Sequence, residues 1–299
     1  MKDLIKLTNH SEDNQKLEAH FCCNYGMNLV SFKKDNIEII DQSTKPLLTE
    51  RCAGLGALIG PHFHHRPLSK IQQNYDINLF PHIKTNLEKG IKEPFSHGIA
   101  RYVPWKHKES LTQIDAMLSG NDSYKNTFIK ELEGFNFEMH LNVKLVHDGL
   151  ILDYRCESEI PSVIGFHYYF NCDKSSKIKA HVKSIYRDGL NYKSIPHTWL
   201  SQTKDHISLS AQEPLDFGFQ SQRDKDKSMN LVILENQGYD LHIEYISSNE
   251  NESSFQIYHP KEGSFVCIEP LSSFSPNSPI YKTNHIQMKL SVYKKSTLN

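Results

Sequence analysis

The chain has 299 residues, 38% of them hydrophobic, with 34 lysines and arginines set against 35 aspartates and glutamates. That length holds one large all-β domain or two ordinary ones. The near-zero charge balance gives no electrostatic footprint for nucleic acid or an anionic membrane surface, and the densest charged stretch, Arg223 to Lys227, alternates in sign as a solvated loop does.

Taken in chain order, the elements read as strands. Leu29 to Phe32 and Ile37 to Ile40 flank Lys34–Asp35–Asn36 and predict a hairpin. Lys70 to Leu79 and Lys108 to Leu118 are expected as two short helices, though neither carries a clean 3.6-residue stripe. From Phe135 the apolar residues alternate through Phe137, Met139, Leu141, Val143 and Leu145; after Asp148–Gly149 the alternation resumes in Leu150, Leu152, Tyr154 and Cys156. A side-chain period of two puts these residues on one buried face of a long antiparallel hairpin. Ile178–Ala180–Val182, Tyr239 to Tyr245 and Ile286 to Val292 repeat the pattern, whereas Asp188 to Ser228 shows few strand signals and reads as a long functional loop region. Without a Pro- or Gly-rich linker or an internal repeat, residues 1–299 are read as a single domain. The expected fold is all-β, a large antiparallel sandwich or barrel.

Six cysteines are present and none forms a Cys-x-x-Cys pair, so a reducing compartment fits better than a disulfide framework or a zinc knuckle. Met1 to His10 lacks the apolar run of a secretory signal, and no stretch approaches the roughly 18 apolar residues of a membrane helix. A cytoplasmic protein is expected.

Phosphate-binding, dinucleotide-binding, nucleophile-elbow and His-Glu-x-x-His motifs are all missing. Three local patterns remain: Ser96–His97–Gly98–Ile99–Ala100–Arg101 with Pro104–Trp105 behind it; Ile164–Gly165–Phe166–His167–Tyr168–Tyr169–Phe170–Asn171; and Phe265–Val266–Cys267–Ile268–Glu269–Pro270. Taken singly, His97 reads as a turn residue, His167 as a satisfied core histidine and Glu269 as a strand-end carboxylate. An imidazole and a carboxylate in apolar surroundings need partners or a changed pKa, and a cleft holding both suits acid–base work near neutral pH.

In this order and at these separations, from about Ala53 to Pro270, the three patterns resemble the aldose 1-epimerase (galactose mutarotase) family, whose motifs read His-Gly with a nearby arginine and tryptophan, Gly-x-His-Pro-Tyr-Phe, and Cys-x-Glu-Pro. The resemblance implies a galactose mutarotase-like β-supersandwich with a sugar cleft on a concave sheet. It also implies that Glu269 is the general base, His167 the general acid and His97 a second active-site histidine at the ring-oxygen end. Arg66 and Asp216 would contact sugar hydroxyls. The sequence departs from the family pattern at Tyr168, in place of proline, at His65, in place of asparagine before Arg66, and at Gly60–Pro61, in place of a glycine-arginine pair. These changes are expected to touch the cleft wall. The implied reaction interconverts the anomers of an aldose with no metal or organic cofactor; the implied partner is a small sugar, and the chain would act as a monomer or homodimer.

Three rivals keep a place. His62–Phe63–His64–His65 puts two histidines on one side of a strand, and Gly56 stands six positions before His62, as in the first cupin motif. Leu68 and Ser69 occupy the places where cupins carry a glutamate, so no metal site is expected. A non-catalytic carbohydrate-binding protein is the second rival, but it need not keep both His167 and Glu269. A hexose-6-phosphate mutarotase, the third, needs a basic clamp, for which Arg66 and Arg101 are the candidates.

Overall fold

The computed structural model describes residues 4–63, 80–88, 90, 95–203 and 206–295. An amino-terminal meander runs through β1 (Leu4–His10), β2 (Lys16–Cys22), β3 (Asn28–Lys34) and β4 (Ile37–Glu38). Helix α1 (Lys45–Arg51) leads to β5 (Gly56–Ile59), and α2 (Pro81–Glu88) lies ahead of a short 3₁₀ turn, Ile99–Arg101. β6 (Lys106–Glu109) and β7 (Gln113–Ser119) are followed by the small hairpin β8 (Ser123–Tyr124) and β9 (Thr127–Phe128) and by α3 (Ile129–Glu133). Next come β10 (Phe137–Val146), β11 (Gly149–Ser158), β12 (Gly165–Asn171), β13 (Lys177–Ala180), β14 (Val182–Asp188), β15 (Asn191–Ser194), β16 (Ile207–Ser210) and β17 (Leu215–Ser221). The chain closes with β18 (Asn230–Glu235), β19 (Tyr239–Ser247), β20 (Ser254–His259), β21 (Phe265–Leu271) and β22 (Thr283–Lys294).

Two large antiparallel sheets form the sandwich. One has nine strands in the order β16-β13-β18-β19-β22-β11-β10-β7-β6, and the other seven in the order β15-β14-β17-β20-β21-β12-β5. The expected long hairpin is β10 paired with β11, from Phe137 opposite Ser158 to Val146 opposite Gly149. Its period-two pattern reappears as strict alternation of burial along β10, with Phe137, Met139, Leu141, Val143 and Leu145 inside. The expected hairpin around Asp35 is β3 with β4. All six cysteines are free, and no helix among the described residues is long and apolar enough to cross a membrane.

Two sequence expectations fail here. Lys108 to Leu118 is no helix; it spans the end of β6, a turn and most of β7, where the buried residues Ile114, Ala116 and Leu118 alternate. Asp188 to Ser228 is not a loop region either, for it holds β15, β16 and β17. β15 is exposed at all four positions, so it carries no hydrophobic pattern to read. The helix expected at Lys70 to Leu79 lies outside the described residues.

In β12, Phe166, Tyr168 and Phe170 face the inter-sheet core, where Phe166 meets Tyr154 of β11 with ring centroids 5.9 Å apart. His167 and Tyr169 therefore point to the opposite, outer face of the seven-stranded sheet. Every residue from Gly165 to Phe170 is nonetheless buried, because the outer face is itself recessed into a cleft.

Candidate active site

Strand register builds the floor of the cleft. Arg187 pairs with Gly218, Gly218 with Gln256, and Gln256 with Glu269. Between β12 and β21, Gly165 lies opposite Leu271 and Tyr168 opposite Ile268, which sets His167 opposite Glu269; on its other side His167 pairs with Ala57. Residues opposite one another share a sheet face, so Arg187, Gln256, Glu269 and His167 stand in one row from separate strands. Asp216, Tyr258, Cys267 and Tyr169 form the next row on the same face. Members of both rows line an open cleft of about 650 Å³ together with His97, Phe63, Arg51 and Arg101.

At its centre, His167 Nε2 lies 3.5 Å from Glu269 Oε1, and both residues are buried, at 8% and 2% exposure. Glu269 Oε2 has no hydrogen-bond partner among the described residues. Burial pushes the Glu269 carboxyl up to about 8; the guanidinium of Arg101 opposes that shift, Asp216 adds to it and Arg187 opposes it. The His167 ring is stacked on Tyr169 at 4.9 Å and meets the edge of His97 at 5.1 Å. His97 thus joins the pair although 70 positions of sequence separate it from His167.

Asp216, exposed on β17, also lines the cleft and its Oδ1 accepts from Gln256 Nε2 at 2.6 Å. Gln256 Oε1 accepts in turn from Arg187 Nη2 at 2.8 Å, so a chain of hydrogen bonds runs along the wall beside Glu269. Gly218 makes room for it: a Cβ there would lie 2.8 Å from Arg187 Nη2 and 2.9 Å from Gln256 Oε1.

The structure brings four of the five predicted residues together, namely Glu269, His167, His97 and Asp216. Arg66 lies outside the described residues, as does His65. Tyr168 is no part of the cleft wall; it packs between Phe166 and Phe170 on the core side, because alternation along β12 turns it away from His167. Sequence reasoning passed over Arg187, Gln256, Arg51 and Tyr258. Each is an isolated polar or aromatic residue in its own strand or helix, and only pairing across the sheet reveals their company. The His62 side chain faces a carboxylate, with Nδ1 2.7 Å from Glu133 Oε1, while His64 lies outside the described residues.

Among the described residues, the donor atoms of His167, Cys267 and Glu269 lie within 4.8 Å of one another. That spacing could hold a metal ion, but the charges around it do not suit one. Arg101 sets a positive charge beside both Cys267 and Glu269, which opposes a second cation there.

A two-sheet antiparallel sandwich with this cleft on its outer face is the galactose mutarotase-like fold. Solved structures share it along nearly their whole length: a protein of Synechocystis sp. PCC 6803 at 17% identity and TM-score 0.66, over 97% of this chain and 96% of that one; a galactose mutarotase-like protein of Clostridium acetobutylicum at 14% and 0.64, over 99% of each; and a galactose mutarotase-like protein of Lactobacillus casei ATCC 334 at 15% and 0.64, over 98% and 100%. No curated protein sequence matches the chain significantly. The sequence profile of the aldose 1-epimerase family matches residues 83–293, and the chain belongs to that family.

Proposed function

We propose that the protein interconverts the α and β anomers of an aldose, with Glu269 as general base and His167 as general acid. The observation that carries this reading is the buried His167–Glu269 pair, 3.5 Å apart on the cleft floor. The anomeric hydroxyl and the ring oxygen sit on one carbon, so the groups that serve them must be close neighbours. Glu269 takes the proton of the anomeric hydroxyl as the bond from C1 to the ring oxygen breaks, and His167 delivers a proton to that oxygen. The open aldehyde turns about C1–C2. Closure on its other face returns both protons to where they began. A carboxylate whose ionised form is poorly solvated is a stronger base than one in water. In this reading His97, against the His167 ring, holds the ring-oxygen end, and Asp216 and Arg66 contact sugar hydroxyls. Proton transfers alone complete the reaction, so the reading includes no metal or organic cofactor. It treats residues 1–299 as one cytoplasmic domain, a monomer or homodimer.

The test is polarimetry or NMR exchange on freshly dissolved glucose, galactose and other aldoses with catalytic amounts of protein. Acceleration abolished by Glu269→Gln supports the reading. If no aldose or aldose phosphate responds yet sugars still bind, the protein is a non-catalytic carbohydrate binder.

A second reading, that the sugar carries a phosphate, is favoured by Arg51 and Arg101. Both line the cleft, and Arg51 Nε, Arg101 Nε and Arg101 Nη2 are buried without hydrogen-bond partners among the described residues. Unpaired buried guanidinium groups suit an anion that can accept several bonds at once. On this reading Arg101→Met should raise KM for a hexose 6-phosphate about 10-fold or more and leave KM for the free hexose nearly unchanged; equal effects on both would refute it.

A further inference from the structure

The turn holds His97 in a left-handed conformation that a residue with a Cβ adopts uncommonly, whereas Gly98 takes its positive φ freely. His97 has φ 63° and Gly98 φ 84°, and a residue with a Cβ keeps a left-handed conformation only where its surroundings over-determine it. Here the surroundings come from the segment after β5. Gly60 N donates to His97 O at 2.9 Å and Ala100 N donates to Gly60 O at 3.0 Å, with Gly98 N bonded to Phe95 O at 3.1 Å. The contact is close enough that a Cβ on Gly98 would stand 2.0 Å from Gly60 O.

The next amide, Ile99 N, reaches out of this backbone network. It donates to Oε2 of Glu133 at 3.0 Å. Glu133 is the last residue of α3, has no exposed surface and is not among the residues that line the cleft. Its other oxygen, Oε1, is 2.7 Å from His62 Nδ1. His62 stands directly before Phe63, whose ring meets the His97 ring edge-on with centroids 5.0 Å apart. One buried carboxylate therefore grips both sides of the pocket in which His97 stands: the His97 backbone through Ile99, and the Phe63 wall through His62. A neutral acceptor would satisfy the Ile99 amide at a lower desolvation penalty than a carboxylate. Two carboxylate oxygens let one side chain hold the amide on one side and the histidine on the other.

We infer that Glu133 is a positioning residue for the reaction, acting through His62 and the His97 turn to hold the His97 imidazole against His167 and over the substrate. The inference rests on the acid–base reading above. Since Glu133 does not line the cleft, its loss should misplace a group in the transition state while leaving most sugar contacts in place. A displacement of about 1 Å can lower turnover by about 10²-fold.

The test compares Glu133→Ala with Glu133→Gln and His62→Gln. For each, kcat and KM for the sugar that wild type turns over are measured. The ring resonance of His97 is followed by NMR in histidine-labelled protein, assigned by its loss in His97→Asn. Glu133→Ala should lower kcat about 10²-fold with KM within about 3-fold of wild type, and should shift or broaden the His97 resonance. Glu133→Gln keeps an acceptor for Ile99 and should recover kcat to within about 5-fold of wild type. A folded Glu133→Ala with wild-type kcat, or a loss equal in Glu133→Ala and Glu133→Gln with the His97 resonance unmoved, overturns the inference. Should Glu133→Ala fail to fold, His62→Gln decides: a displaced His97 resonance with kcat down about 10-fold supports the clamp, and wild-type values for both refute it. If wild type accelerates no aldose, the acid–base reading falls. The His97 resonance then still tests the clamp by itself, since an unchanged signal in folded Glu133→Ala and in His62→Gln overturns it and a displaced one supports it.

Discussion

Replacing Glu269 by glutamine should damage catalysis and stabilise the protein, and the second effect should depend on pH in a way that reports the state of the cleft. The native carboxyl is pushed from 4.5 up to about 8, mainly by burial. Between those values the folded chain holds a proton that the unfolded chain has lost, so stability falls as pH rises through the window. A carboxyl raised from 4.5 to about 8 corresponds to about 5 kcal/mol, fully lost once the pH passes the folded value. Glutamine resembles the protonated acid in size and cannot ionise. Relative to wild type, Glu269→Gln should therefore gain about 3 kcal/mol between pH 5 and pH 7, level off above pH 8 and show a constant offset below pH 4.5. Urea unfolding of both proteins across this range measures the difference, while mutarotation by the variant should fall by about 10²-fold or more. A stability difference that does not vary with pH would show that Glu269 ionises as it does in water, and the argument from desolvation would fail.

His167→Asn should also lower kcat by about 10²-fold with a much smaller change in KM, and the double variant with Glu269→Gln should lose far less than the product of the single losses, as a unit of acid and base does; multiplicative losses in steady-state kinetics would show the two act separately. Since Glu269 must be ionised to accept a proton, kcat/KM should drop about tenfold per unit as pH falls below about 8, and a profile flat down to pH 6 would contradict that role. Gly218→Ala sets a Cβ within 2.8 Å of Arg187 Nη2 and should break the Arg187–Gln256 bond, raising KM about 10-fold with less change in kcat; unchanged KM would mean that this wall does not meet the sugar.

The sequence by itself determined the strands that carry an apolar period of two. β10, β11, β19 and β22 were legible because alternation is a local property: each residue's face follows from its neighbour's. The same local logic marked His167 and Glu269 as polar residues inside apolar strands, and the three motifs together pointed to the family. It failed at β15, which exposes every side chain, and over β6 and β7, where a short turn interrupts the period. It also misjudged Tyr168, whose face the alternation around His167 already specified. Tertiary structure alone decided the rest. Which residues stand beside Glu269 depends on the register between strands distant in the chain, and that register brings Gln256 and Arg187 to its side and His167 to within 3.5 Å. The raised pKa of Glu269 and the grip of Glu133 on the His97 turn have the same origin, because desolvation and buried hydrogen bonding are set by atoms brought close in space, which no local pattern encodes.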